Sequence, residues 1–147
     1  MLQAFQVIGM ARRITKARCS ICRKHGRETF LYMRRRFIFD VDLARKIVSD
    51  GRSPVELDPD DVRFAVDSCE VNRNHISHVD PSIPGIVSHV FFPQDGVMVQ
   101  GHVFIDGHHR AARALQLNQP FLVHVLSESE SRQIVLRSPE LVDKAVA

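Results

Sequence analysis

VFIDGHHRAARAL, residues 103–115, runs from an apolar β-type stretch into a helical one through a single glycine. Val103, Phe104 and Ile105 are β-branched or aromatic and read as a buried strand. Asp106-Gly107 ends it, and residues 108–117 place Ala111, Ala112 and Leu115 on one face of a helix. The first backbone N–H groups of such a helix lack intrahelical partners and the helix dipole is positive there, so the turn favours an anion. Gly107 lets a phosphate approach the main chain. Arg110 offers a planar fork of donors, and Arg113 follows three residues later on the same side. Asp106 is placed to hold a hydroxyl or a magnesium ion, and His108 and His109 can donate to phosphate or exchange protons near neutral pH. The same residues have a purely structural use, with Asp106 as cap, Gly107 as turn and the rest as a solvated first helical turn.

The flanking sequence supplies partners for this unit. Upstream, residues 86–92 and 97–105 are strand-like and Asp95-Gly96 between them is a hairpin dipeptide. Downstream, residues 121–126 read as another strand, and Ser127 with Glu130 forms a capping box for a helix carrying Ile134 and Val135 before Pro139. Earlier, Asp40 or Asp42 caps a helix with Leu43, Ala44, Ile47 and Val48 on one face and Gly51 after it. Asp58 caps a second, with Pro59 at its first position and Val62, Ala65, Val66 and Cys69 at i, i+3, i+4, i+7. Residues 72–84, NRNHISHVDPSIP, read as an ordered loop. The fold class is α+β: helices, a hairpin, then strand, helix, strand, helix.

The chain has 147 residues, 44% of them hydrophobic, with no apolar run of membrane-spanning length, so one globular domain without a membrane segment is expected. Charge divides it. Residues 1–36 hold ten Lys/Arg against Glu28, whereas residues 37–147 hold ten against sixteen Asp/Glu. This predicts a basic N-terminal arm over 1–36, a candidate contact for nucleic acid, on an acidic domain over 37–147. Met33 is an alternative start that would remove most of the arm.

Cys19 and Cys22 form CxxC, and His25 follows at a spacing that offers three ligands to one zinc ion. A closed site needs a fourth, and Cys69 is read as a small core residue, so zinc in the arm is not expected. An odd cysteine count without a secretory signal points to the reducing cytoplasm. In the long loop His75, His78 and Asp80 form a separate candidate divalent-metal cluster, or satisfy their own backbone. His102 and His124 read as ordinary cross-strand residues.

The unit strand, IDGHHRAARAL, strand (about residues 97–127) resembles the signature of the ParB/sulfiredoxin superfamily. Partition proteins of that family carry Gly-x-x-Arg with a second arginine before the last; Gly107 and Arg110 match, and His109 replaces that arginine. Sulfiredoxins carry Gly-Cys-His-Arg; His108 stands where their catalytic cysteine would be, so sulfiredoxin activity is not expected. Free-serine kinases carry Asp-Gly-His-Thr-Arg, which Asp106, Gly107, His108 and Arg110 match; the further acidic residue those kinases need has Glu56 and Asp80 as candidates. The resemblance implies a small mixed sheet with helices packed on it. It also implies binding of a nucleoside triphosphate or other phosphorylated small molecule, with magnesium-dependent phosphoryl transfer or nucleotide hydrolysis as the chemistry if the chain is an enzyme. Asp106, His108 and His109 would then be catalytic, and Gly107, His108, His109, Arg110 and Arg113 would bind the ligand. Arg110→Ala would abolish binding with little loss of stability. Two other classes are a nucleic-acid-binding or partition-like adaptor, which lacks the helical DNA-binding domain expected after the motif, and a non-catalytic protein-binding module.

Overall fold

The computed structural model describes residues 15–24 and 26–139. Among these residues a 3-10 turn, Lys16–Arg18, precedes seven strands and five helices. These are β1 (Thr29–Tyr32), β2 (Phe37–Asp40), α1 (Val41–Val48), β3 (Val55–Leu57), α2 (Pro59–Asp67), α3 (Arg73–Ile76), β4 (Gly85–Gln94), β5 (Val97–Asp106), α4 (His108–Gln116), β6 (Phe121–Val125), α5 (Glu128–Ile134) and β7 (Val135–Arg137). The class is α+β. Among the described residues no helix is long and apolar enough to cross a membrane.

Two sheets form, a three-stranded one ordered β1-β2-β7 and a four-stranded one ordered β3-β6-β4-β5. In the larger, β4 pairs antiparallel with β5 through the Asp95-Gly96 turn and parallel with β6. The chain therefore leaves β5, crosses β4 by way of α4 and re-enters the sheet as β6. Apolar side chains on both faces explain the unbroken run at 103–105. Val103 and Ile105 join Ile86, Val90, Phe37, Phe39, Leu126 and Ile134 in one cluster, while Phe104 joins Val87, Ala111, Ala114, Phe121 and Val123 in another. Full burial of one such side chain is worth about 1.5–3 kcal/mol, so each face contributes to holding β5 in place.

Several expectations need adjustment. The boundary at residue 36 cuts through a hairpin, because Thr29–Tyr32 pairs with Phe37–Asp40 across a turn that contains Met33. A chain starting at Met33 would lack β1. The loop at 72–84 contains α3, opened by Asn72, whose side chain accepts from the Asn74 N–H at 3.0 Å. Val135 starts a strand instead of continuing α5, and Cys69 lies two residues beyond the end of α2. Both expected helix starts are present: Asp40 accepts from Leu43 N–H, and Asp58 from Asp60 N–H. The Ser127/Glu130 capping box is complete.

Gly85, at the head of β4, is where the turn after β5 and the sheet come closest. A Cβ there would lie 2.7 Å from the Phe104 ring and 2.8 Å from the Asp106 carbonyl oxygen. The carbonyl is backbone and cannot swing aside, so Gly85→Ala is expected to cost about 1–3 kcal/mol. Urea unfolding reads this out, and a midpoint equal to that of the parent chain would contradict the close approach.

Candidate functional site

Asp106 ends β5 with only 6% of its side chain exposed, and two arginines meet it. Arg45 of α1 donates from Nε to Oδ2 at 2.9 Å and from Nη2 to Oδ1 at 2.7 Å. Arg110 donates from Nη2 to Oδ2 at 3.3 Å and to the Pro84 carbonyl at 3.1 Å. Burial pushes the Asp106 carboxyl up, but the Arg45 fork and the charges of Arg110 and Arg45 outweigh it and hold it below the usual carboxylate range. Asp106 is thus an ionised anchor with both oxygens engaged. It is not free to take a proton.

Gly107 follows at φ 103° as the N-cap residue of α4 and gives no side-chain cap. A Cβ at this left-handed position would also sit 3.0 Å from the Gly85 Cα and 3.2 Å from Arg110 Nη2. The first intrahelical bond is Ala111 N–H to the Gly107 carbonyl at 2.8 Å. The N–H groups before it, at the start of the helix, have no partner within it.

The two histidines are unlike. His108 stacks on Phe30 with ring centroids 5.2 Å apart, meets Phe104 edge-on at 4.7 Å, and has Nε2 3.2 Å from Cys69 Sγ. Burial drives its pKa down to about 4, with Asp106 pulling the other way and His109 and Arg110 adding to the fall. His109 accepts at Nε2 from the Asn72 N–H at 3.1 Å, which leaves Nδ1 protonated in the neutral ring. Burial, and then the charges of His75 and Arg110, lower its pKa too. Both rings are therefore neutral at pH 7; His108 is a weak base, and the His109 acceptor nitrogen is occupied by the Asn72 N–H.

A cleft of about 550 Å³ opens over this turn. Gly107, His109 and Arg110 line it with Lys24 and Thr29 from the arm side and Arg45 from α1. Glu28, Glu70 and Asp106 balance its three cations, but Glu28 is itself held 2.7 Å from Arg45 and Asp106 is held as above. Arg110 Nε is buried without a hydrogen-bond partner among the described residues. Arg113 is not among the lining residues; its side chain reaches Gln116. Neither candidate for a further acidic group reaches the cleft: Glu56 is exposed on β3, and Asp80 accepts from the N–H and hydroxyl of Ser82 in a local turn.

The metal candidates rearrange. Cys19, Cys22, His75 and His78 come together with all four ligand atoms within 4.8 Å of one another. Cys19 Sγ lies 3.4 Å and Cys22 Sγ 3.2 Å from His75 Nδ1, and Cys22 Sγ lies 3.5 Å from His78 Nδ1. The expectation against metal in the arm is therefore corrected, because the loop supplies the ligands the arm lacked. The His75–His78–Asp80 grouping is corrected as well, since Asp80 serves its own turn. His25 lies outside the described residues. The His75 ring meets the His109 ring edge-on at 4.7 Å, so this cluster borders the cleft.

Sequence reasoning missed Arg45 and Lys24, which sit in segments with no motif. A signal for the Cys–His cluster was present, because CxxC and HxxH are each half of a four-ligand set with the same internal spacing. No family model, curated protein or solved structure matches the chain.

The depressed His108 pKa sets a pH dependence. Unfolded His108 takes up a proton near pH 6.5, but folded His108 does so only near 4. The unfolded state binds more protons between those values, so stability must fall as pH drops through that window, by at most about 1.4 kcal/mol per pH unit for this group. His108→Phe is expected to remove that share of the slope in urea unfolding at pH 4.5–6.5. An unchanged slope would contradict the burial of a neutral imidazole.

Proposed function

We propose that the chain is a ParB/sulfiredoxin-type domain that binds a phosphorylated small molecule, a nucleoside phosphate above all, at the head of α4. The observation that carries this reading is the uncapped start of α4, with Gly107 at its N-cap, opening into a cleft of about 550 Å³ lined by Lys24, Arg45 and Arg110. Unpaired N–H groups at a helix start favour anions, and Gly107 leaves the main chain approachable. The buried, unmatched Nε of Arg110 and the Nδ1–H of His109 are further donors at the turn. The order strand, DGHHR turn, helix, strand supports the family assignment, as does the mixed pairing of β4 with β5 and β6.

The reading is of binding. Asp106 does not suit magnesium, because both its oxygens accept from arginine; His108 is too weak a base near neutral pH to activate an acceptor hydroxyl, and His109 has its acceptor nitrogen on the Asn72 N–H. Phosphoryl transfer therefore forms no part of the proposal. Recognition rests on the fixed donors of the turn, with Lys24 supplying a further charge from the arm side.

The test is thermal-shift screening of the full chain, since Lys24 belongs to the cleft, against ATP, CTP, GTP, ADP and pyrophosphate, with and without magnesium. A ligand at 100-fold its Kd adds about 2.7 kcal/mol, which corresponds to roughly 6–10 °C in Tm for a chain of this size. Arg110→Ala should lose the shift. It should also lower the unliganded Tm, contrary to the expectation from sequence, because Arg110 holds Asp106 and the Pro84 carbonyl. The cleaner variant is Lys24→Ala, expected to weaken binding about tenfold at unchanged unliganded Tm. No shift with any of these ligands, or a shift indifferent to both variants, would overturn the proposal.

A further inference from the structure

Cys19 and Cys22 are separated from His75 and His78 by more than fifty residues, yet their ligand atoms share one small volume. We propose that these four side chains form a closed tetrahedral zinc site that bolts the N-terminal arm to the α3 segment beside the cleft. Zinc takes thiolate at about 2.3 Å and imidazole at about 2.0–2.1 Å, and at tetrahedral angles those bonds space sulfur and nitrogen about 3.5 Å apart. The observed S···N separations are 3.4, 3.2 and 3.5 Å. The same ring nitrogen, Nδ1, faces the sulfurs from both imidazoles.

Local structure delivers each pair. Residues 19–23 turn back on themselves, with the Arg23 N–H donating to the Cys19 carbonyl at 3.1 Å, and this puts both sulfurs on one side. His75 and His78 are three residues apart on a single turn closed by the His78 N–H to His75 carbonyl bond at 2.9 Å. Cys19 itself is 2% exposed.

Donor chemistry selects the ion. Two thiolates and two imidazoles in a tetrahedron suit zinc, whereas magnesium and calcium demand oxygen. Four protein ligands leave no open position for substrate, so the role is structural. Its effect falls on the cleft, since Ile21, Lys24 and His75 line one wall and His75 touches His109. The site does not rest on the phosphate reading, because its occupancy is measured without any phosphate ligand.

The test is elemental analysis of the full chain purified without chelator, followed by cobalt substitution. About one zinc per chain is expected, and the cobalt form should show the visible bands of a tetrahedral ion with thiolate charge transfer in the near ultraviolet. Cys22→Ala and His78→Ala should each lower retained metal at least about tenfold, while Lys24→Ala keeps it. If either alanine variant fails to fold, His78→Cys decides: it should retain one metal and raise the charge-transfer intensity about 1.5-fold, from two thiolates to three. Three results would overturn the proposal: a chain free of zinc after growth with zinc present, a Cys19–Cys22 disulfide in the intact mass, or full metal retention in a folded His78→Ala variant.

Discussion

Asp106 is a carboxylate buried at the end of a central strand, and burying such a charge without partners would cost several kcal/mol. Arg45 reaches it from α1 and Arg110 from α4, so the need to neutralise one group ties two helices to the end of β5. Arg45 then passes the constraint outward, since its remaining nitrogen pairs with Glu28, just before β1. Gly107 must leave that strand end at a left-handed φ and clear Gly85, which aims the start of α4 at the space between these elements. The cleft is the space left over by this arrangement. Its donors are fixed before any ligand arrives.

The same constraint bears on what the proposed site can do. A carboxylate clamped by two guanidiniums stays ionised and cannot shuttle protons, His108 is packed between aromatic rings, and His109 has its acceptor nitrogen on the Asn72 N–H. The DGHHR residues thus divide their tasks: Asp106 anchors, Gly107 opens the main chain, His108 packs between Phe30 and Phe104, His109 and Arg110 offer N–H groups. The Cys–His cluster stands outside this set but adjoins it through His75, so the arm carrying Lys24 is held where it forms a wall.

Much of this was legible in the sequence where a local rule sufficed. The β4–β5 hairpin follows from two runs rich in β-branched and aromatic residues joined by Asp95-Gly96, α4 from the face of Ala111, Ala112 and Leu115, to which the structure adds Ala114, and α5 from the Ser127/Glu130 box. The strands β1, β2, β3 and β7 were not, because segments of three or four residues have no period to read and their pairing is decided by distant partners. Sites divided the same way. The turn at 106–110 was visible because its residues are consecutive, and so was each half of the Cys–His cluster. Their meeting depends on how α3 lies against α4, which no local pattern encodes. Arg45 was invisible for the same reason: an arginine on the exposed side of a capped helix reads as solvent-facing until Asp106 is placed opposite it.

The most direct measurement is made on the α4 amides themselves, by 15N–1H spectra of the full chain during titration with pyrophosphate. Anion binding at the head of α4 requires the His109 and Arg110 amide protons to move downfield and saturate together, while Val97 and Met98 at the far end of the hairpin stay in place. Saturation at other residues with the α4 amides stationary, or shifts that grow without saturating, would contradict a phosphate site at this turn.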